Sequence, residues 1–242
     1  MSTRNPIRLR EARAAMRALL ENPDDTAQAF KVIAAMSGGS GERLYRRFRR
    51  SPTGARILAE RRNLVDLIGD LGKLRAMPAN SLGQALADFY ESEELSAQGL
   101  IAASEAGFRE PRDGLDEERR IFGNRLRDLH DVFHVVAGYG RDLLGEAAVL
   151  AFTFAQTWNL GIGFMVLVVL RRAGLRSEPG RLIREAFRRG RRATWLVDLD
   201  WEALLSQPLD RLRQDLRLGP LPVYEQVRSA GAPSAPRPLL TH

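Results

Sequence analysis

Apolar residues along this chain recur mostly at intervals of three and four, and no segment sustains the period-two alternation of a half-buried strand. The pattern predicts an all-α protein. Residues 8–21 read as an amphipathic helix ended by Asn22-Pro23, and Asp25 caps a second helix that runs to Met36 and stops at Ser37-Gly38-Gly39. A third helix follows Ser40. Ser51-Pro52, an N-cap followed by proline at the first helical position, opens a fourth. Pro78 breaks the chain before Ser81-Leu82-Gly83, from which a helix runs through Tyr90, and polar residues 109–117 read as a loop. Glu117 to Gly138 is a long helix closed by Gly138-Tyr139-Gly140.

Residues 147–170 carry no charge, enough length to span a bilayer. The preferred reading is a central helix buried on all sides, because Gln156, Thr157 and Asn159 sit mid-run where lipid would penalise them. Gly161 and Gly163 suggest close packing or a bend, and such a helix could line an apolar tunnel. Residues 181–192 hold arginines at 181, 184, 188, 189, 191 and 192 beside an apolar strip of Leu182, Ile183, Ala186 and Phe187. That is either a solvated face or a membrane-surface contact centred on Arg184, Phe187 and Arg188. Residues 219–242 are rich in Pro, Ala, Ser and Gly and read as a disordered tail. The expected organisation is one multi-helix domain over residues 1–218 with a central apolar helix, followed by that tail.

Composition changes this picture little. Hydrophobic residues make up 44% and charged residues 28%, which supports a sizeable core. Cysteine is absent, which excludes disulfides, thiolate metal sites and cysteine nucleophiles and fits a reducing compartment. The N-terminus has no h-region or cleavage site of a secretory signal. A net charge of +7 and a pI near 10.6 permit an anionic partner. No zinc finger or interleaving of aromatics with arginines accompanies the charge, so no nucleic-acid partner is expected.

One constellation carries chemistry. Of three histidines, His242 is the last residue, and His130 and His134 stand four apart on the long helix, on one face and within reach of one ion. Asp131 can flank that face. Glu146 would lie about 18 Å from His134 in an unbroken helix, but Gly138, Gly140 and Gly145 allow the chain to reverse and bring it back. Two imidazoles with carboxylate oxygens suit zinc, and also iron or manganese. Asp128 and Asp142 are candidate acceptors for the second imidazole nitrogens. A zinc peptidase needs glutamate where Asp131 stands, and an HD-type phosphohydrolase needs a histidine upstream of His130. Neither pattern fits; HDxxH-x11-E does.

HDxxH-x11-E resembles the signature of the coenzyme Q (ubiquinone) biosynthesis protein 4 family. Arg125-Leu126-Arg127-Asp128-Leu129-His130-Asp131 is similar to the family's RYRExHD, and Asp142 to Glu146 to its turn into the second ligand helix. Gln156-Thr157 matches a QT pair, Met77 to Gly83 an LPxGSLG stretch, and Gly190-Arg191-Arg192, Trp201-Glu202, Pro208-Leu209 and Leu212-Arg213 its closing helices. The resemblance runs roughly from residue 27 to residue 218. It implies an all-α fold and a divalent metal, usually taken as zinc, held by His130, Asp131, His134 and Glu146, the catalytic centre, with Arg127, Asp128 and Asp142 around it. It implies removal of the C1 carboxylate from a polyprenylated 4-hydroxybenzoate intermediate, with or without C1 hydroxylation. It also implies isoprenoid binding, with Phe154, Gln156, Thr157 and Gly161 at the lipid pocket. As partners it implies a polyprenylated benzoate or quinone lipid, the other ubiquinone-biosynthesis enzymes and the membrane surface. The expected place is the cytoplasmic face of a bacterial inner membrane; a homodimer is a further expectation. The alternative is an isoprenoid-binding scaffold with a structural metal. The sequence departs from the family at Leu126, at Asp128, and at Trp158-Asn159-Leu160-Gly161, where the family has GLP after QT.

Overall fold

Polar side chains at helix starts fix where the elements begin. The computed structural model describes residues 6–93, 101–102, 106 and 116–228. Among them thirteen helices follow in order and no strand occurs: α1 (Leu9–Glu21), α2 (Thr26–Met36), α3 (Ser40–Arg50), α4 (Pro52–Ala59), α5 (Val65–Ile68), α6 (Leu71–Arg75), α7 (Leu82–Ser92), α8 (Glu117–Ala137), α9 (Leu143–Thr157), α10 (Leu160–Ala173), α11 (Glu178–Arg192), α12 (Trp201–Leu204) and α13 (Leu209–Asp215). Ser51, Ser81, Asp116, Asp142, Asn159 and Ser177 each accept a main-chain N–H of the first turn that follows, satisfying donors the helix leaves unpaired. Asp25 precedes α2 as expected, but its carboxylate makes no capping bond and takes the Gln28 amide instead. The loop expected over 109–117 lies, as far as residue 115, outside the described residues.

The centre of the fold is the pair α9 and α11, with α8 and α7 against it and α12 and α13 closing the far side. Phe133, Phe152, Trp201 and Leu86 are buried together there; truncating one such side chain to alanine costs about 2–5 kcal/mol. Two satellite cores flank this centre. One joins α3 and α4 to the start of α8 through Phe48, Ile57 and Phe122, and the other joins α1 and α2 to α10 through Met16, Val32 and Met165. Arg125 of α8, 1% exposed, is held by two bonds to Glu202 of α12 at 2.7 and 2.8 Å and by the Leu199 carbonyl at 2.9 Å. A buried guanidinium needs that matched fork.

The uncharged run 147–170 is two helices, not one. Trp158 takes left-handed φ (52°), and Asn159 accepts the N–H groups of Gly161 and Ile162 at 2.8 and 3.2 Å, starting α10 afresh. The mid-run polar residues therefore mark a corner. α9 is the buried central element, whereas α10 leaves Leu160 and Leu167 exposed. No described helix is long and apolar enough to cross a membrane. Of the tail expected from residue 219, residues 219–228 are described and 229–242 are not. The described part carries no helix and crosses the turn between α8 and α9 as a strap. Tyr224 takes the Gly140 N–H at 2.9 Å and donates to Asp142 at 2.8 Å, the Val227 carbonyl takes the Leu143 N–H, and Arg228 pairs with the buried Glu93 at 2.8 Å.

Candidate metal centre

The long helix α8 puts His130 and His134 one turn apart on one face. α8 ends at Gly138 in left-handed φ (75°), which a side chain would strain, and the chain turns back through Gly140. A Cβ at position 145 would run into the Gly140 carbonyl oxygen, so the tightness of this reversal requires glycine. α9 then starts with Asp142 as cap and Glu146 in its first turn, facing α8. The Nε2 atoms of His130 and His134 are 3.2 Å apart, and each lies 3.5 Å from a different oxygen of Glu146. One ligand atom from each of the three falls within 4.8 Å of the others.

This donor set fits a divalent ion. Two nitrogens at about 2.0–2.1 Å on one tetrahedral centre stand about 3.3 Å apart, close to the spacing here. The Nδ1–H of His134 donates to the Tyr139 carbonyl at 2.9 Å, leaving its Nε2 lone pair facing the cluster. The His134 ring is stacked under Phe89, centroids 5.4 Å apart, and its side chain is fully buried. Glu146 retains 31% exposure, so the cluster has an approach from outside. Arg141 reaches Glu146 at 3.4 Å.

Charge is balanced inside the cluster. Burial would raise the Glu146 carboxyl, but the His134 and His130 imidazoles outweigh it and hold it well below the usual carboxylate range. Burial would lower His134, and Glu146 outweighs that and carries it upward. Asp131 is not among the three converging donors. Being one residue on from His130, it is rotated about 100° around α8, and its Oδ2 accepts the Tyr90 hydroxyl of α7 at 3.2 Å. Burial pushes the Asp131 carboxyl up, with the two imidazoles opposing. Of the four residues expected as ligands, His130, His134 and Glu146 converge on one point, and the Asp131 carboxyl, pushed up by burial, lies beside them.

The family model described as Coenzyme Q (ubiquinone) biosynthesis protein Coq4 matches residues 9–222. The chain belongs to the Coq4 family. A rat protein named ubiquinone biosynthesis protein COQ4 homolog, mitochondrial, is 31% identical over 74% of this chain, which spans 65% of the rat protein. The human protein of the same name is 29% identical over 81% of this chain and 73% of its own. A crystal structure of a Nostoc punctiforme protein named for ubiquinone biosynthesis superposes with a TM-score of 0.61 at 18% identity, covering 87% of this chain and 98% of that one, and shares the fold.

The residues expected around the Coq4 centre are placed unevenly. Arg127 and Asp128 pair with each other at 2.7 Å, both buried. Asp142 spends its oxygens on Leu144, Gly145, Tyr224 and Val227. The acceptor for His134 is the Tyr139 main-chain carbonyl, neither Asp128 nor Asp142. A main-chain group has no residue type to read, which is why the sequence did not point to it. Of the expected lipid-pocket residues, Gln156 is buried and holds the Gly190 and Thr194 carbonyls at 2.6 and 3.1 Å and the Leu196 N–H at 2.8 Å. Thr157 bonds back to Thr153, Gly161 lies against Ile33 of α2, and Phe154 packs on Trp158 and Phe187. Of the expected membrane residues, Phe187 is half-buried in that aromatic cluster, Arg188 pairs with Glu185 at 3.3 Å, and Arg184 bonds the Gly180 carbonyl. Arg189 of the same arginine run is buried and belongs to no solvated face. Tyr90, Phe89 and Arg141 touch the centre and carried no spacing signal.

Proposed function

We propose that this Coq4 protein is a metal-dependent decarboxylase that removes the C1 carboxylate of a polyprenylated 4-hydroxybenzoate during ubiquinone biosynthesis. One observation carries the reading: three donors converge on one point beside a buried carboxyl that burial pushes up. His130, His134 and Glu146 would hold the ion, with zinc first and iron or manganese as alternatives. When bound, the ion supplies a Lewis acid for the carboxylate and phenol oxygens of the ring. Three protein ligands leave a fourth position for substrate, the pattern of a catalytic rather than a structural site.

The chain's own residues then account for the proton. Asp131, whose carboxyl burial pushes upward and whose Oδ2 accepts the Tyr90 hydroxyl, would deliver a proton to ring carbon C1. The C1–carboxylate bond breaks, its electron pair restores the aromatic ring, and carbon dioxide leaves. The product carries hydrogen at C1, and solvent returns a proton to Asp131. Coupled C1 hydroxylation would need dioxygen or another oxidant in addition. The names of the relatives support the pathway, and three donors with an open position support chemistry over scaffolding. Action at a membrane surface is supported by exposed apolar side chains, Trp158, Leu160, Leu167 and Leu175 at 48, 42, 62 and 61%, with exposed Arg171 and Arg172 on the same stretch and Trp158 packed on Phe187 of the arginine-rich helix. Docking there with the other ubiquinone-biosynthesis enzymes would deliver the prenylated ring to the site.

The test is purified protein with a prenylated 4-hydroxybenzoate, assayed for carbon dioxide alongside elemental analysis. His134→Ala should lose both metal and turnover. Metal-free turnover in that variant would overturn the metal mechanism, and no carbon dioxide from metal-loaded wild type would leave an isoprenoid-binding scaffold as the function.

A further inference from the structure

One peptide group supports the centre through both of its polar ends. The Tyr139 carbonyl takes the Nδ1–H of His134 at 2.9 Å, and the Gly140 N–H across the same peptide bond donates to the Tyr224 hydroxyl at 2.9 Å. That hydroxyl in turn donates to Asp142 Oδ2 at 2.8 Å. Asp142, 1% exposed, starts α9: its Oδ1 takes the Leu144 and Gly145 N–H groups at 3.0 and 3.2 Å, and its main-chain carbonyl takes the Glu146 N–H at 2.8 Å. One hydroxyl in the strap therefore bonds the support of His134 and the support of Glu146, two of the three donors.

The strap is fastened at three further points. Val227 donates its N–H to Asp142 Oδ1 at 3.1 Å and takes the Leu143 N–H at 2.8 Å. Arg228 forks onto both oxygens of Glu93 at 2.8 and 3.1 Å, and Glu93 is 4% exposed. Glu93 directly follows α7, one turn beyond Phe89 and Tyr90, which touch His134 and Asp131. Leu221 lies against Gly138, where a Cβ would come within 2.5 Å of it. Tyr224 fills the space beside Gly145, where a Cβ would come within 2.6 Å of its hydroxyl. The strap thus ties together α7, the end of α8 and the start of α9, around the donors. Tyr224, Val227 and Arg228 follow residue 222, where the match to the Coq4 family ends; their contacts are what connect them to the centre.

We propose that Tyr224 is a positioning residue for the metal centre, holding His134 and Glu146 at coordinating distance before an ion arrives. This role presupposes the metal centre proposed above and is independent of the reaction assigned to it. An ion accepts its ligands within about 0.2 Å of their ideal distances, so donors already in place bind it without first being ordered. Groups that orient ligands in this way are worth about 10–100-fold in metal affinity. Removing the Tyr224 hydroxyl takes that partner from the Gly140 N–H and from Asp142 Oδ2, and frees both the peptide that holds His134 and the first turn of α9 to shift.

The experiment is competition for zinc between the full chain and a chromophoric chelator, in wild type, Tyr224→Phe, His134→Ala and Thr157→Ala. Tyr224→Phe should weaken zinc binding about tenfold, the low end of that range. In the metal-free protein its Leu144 and Gly145 amides should exchange with deuterium faster than those of wild type. Thr157→Ala removes a buried hydroxyl at the far end of α9 and lowers stability, yet should keep zinc affinity within about twofold of wild type. A Tyr224→Phe protein within about twofold of wild type overturns the proposal. So does a Thr157→Ala protein that loses as much zinc affinity as Tyr224→Phe, because the loss would then follow stability alone. Unchanged exchange at Leu144 and Gly145 overturns the route through Asp142. Zinc bound by wild type, lost in His134→Ala and unaffected in Tyr224→Phe removes the strap's role and keeps the metal centre. Wild type that takes no more zinc than His134→Ala overturns both.

Discussion

Gln156 offers a direct test of whether the glutamine-threonine pair belongs to a ligand pocket or to the fold. Replacing it with leucine keeps the volume and removes the amide. In the native structure both N–H groups of that amide are used, at 2.6 Å to Gly190 and 3.1 Å to Thr194, and its carbonyl takes the Leu196 N–H at 2.8 Å. Gly190 and Leu196 are buried, so their main-chain groups have no water to turn to. Each buried group left unpaired costs about 1–3 kcal/mol, giving roughly 2–6 kcal/mol for the two, with Thr194 adding less because it is only half-buried. Against a total stability of about 5–15 kcal/mol that is a large fraction. Urea unfolding of Gln156→Leu and wild type, followed by far-UV circular dichroism, measures it. Thr157→Ala is the smaller comparison; it removes a hydroxyl that bonds the Thr153 carbonyl at 2.8 Å and takes the buried Asn159 N–H at 3.3 Å, leaving one buried group unpaired for about 1–3 kcal/mol. A Gln156→Leu protein within about 1 kcal/mol of wild type, but unable to retain a prenylated lipid, would refute the packing argument and restore the pocket role.

Asp131→Asn should keep its metal and lose about 10²–10⁴ of turnover, the range of general acid catalysis; loss of metal on elemental analysis would instead make Asp131 a ligand. The pH dependence of stability should reverse sign on metal loading. In the metal-free protein His134 is raised above its ordinary 6.5 by Glu146, so the stability from that pair is fully present below about 6.5 and is lost as pH rises through the raised value. Coordination needs a neutral imidazole, so the zinc-induced rise in Tm should grow over that same window. Thermal melts with and without zinc from about pH 6 to about pH 8 read both slopes, and a zinc increment that shrinks as pH rises would contradict the ligand assignment.

Local sequence alone determined most helix boundaries and the chemistry of the cluster. Residues four apart on one helix must share a face, so His130 and His134 were legible as a pair, and glycines at 138, 140 and 145 were legible as a reversal returning Glu146 to them. The corner at Trp158-Asn159 was written in Gln156, Thr157 and Asn159, but hydropathy averages over such residues and the run read as one helix. Tertiary structure decided the rest, because each remaining choice depends on what lies opposite in space. Asp131 turns to Tyr90, forty-one residues earlier. His134 is held by a main-chain carbonyl, and Arg189 leaves a solvated-looking arginine run to be buried and to bond the Leu218 carbonyl just before the strap. Periodicity states which face of a helix a residue occupies; only packing states what that face meets.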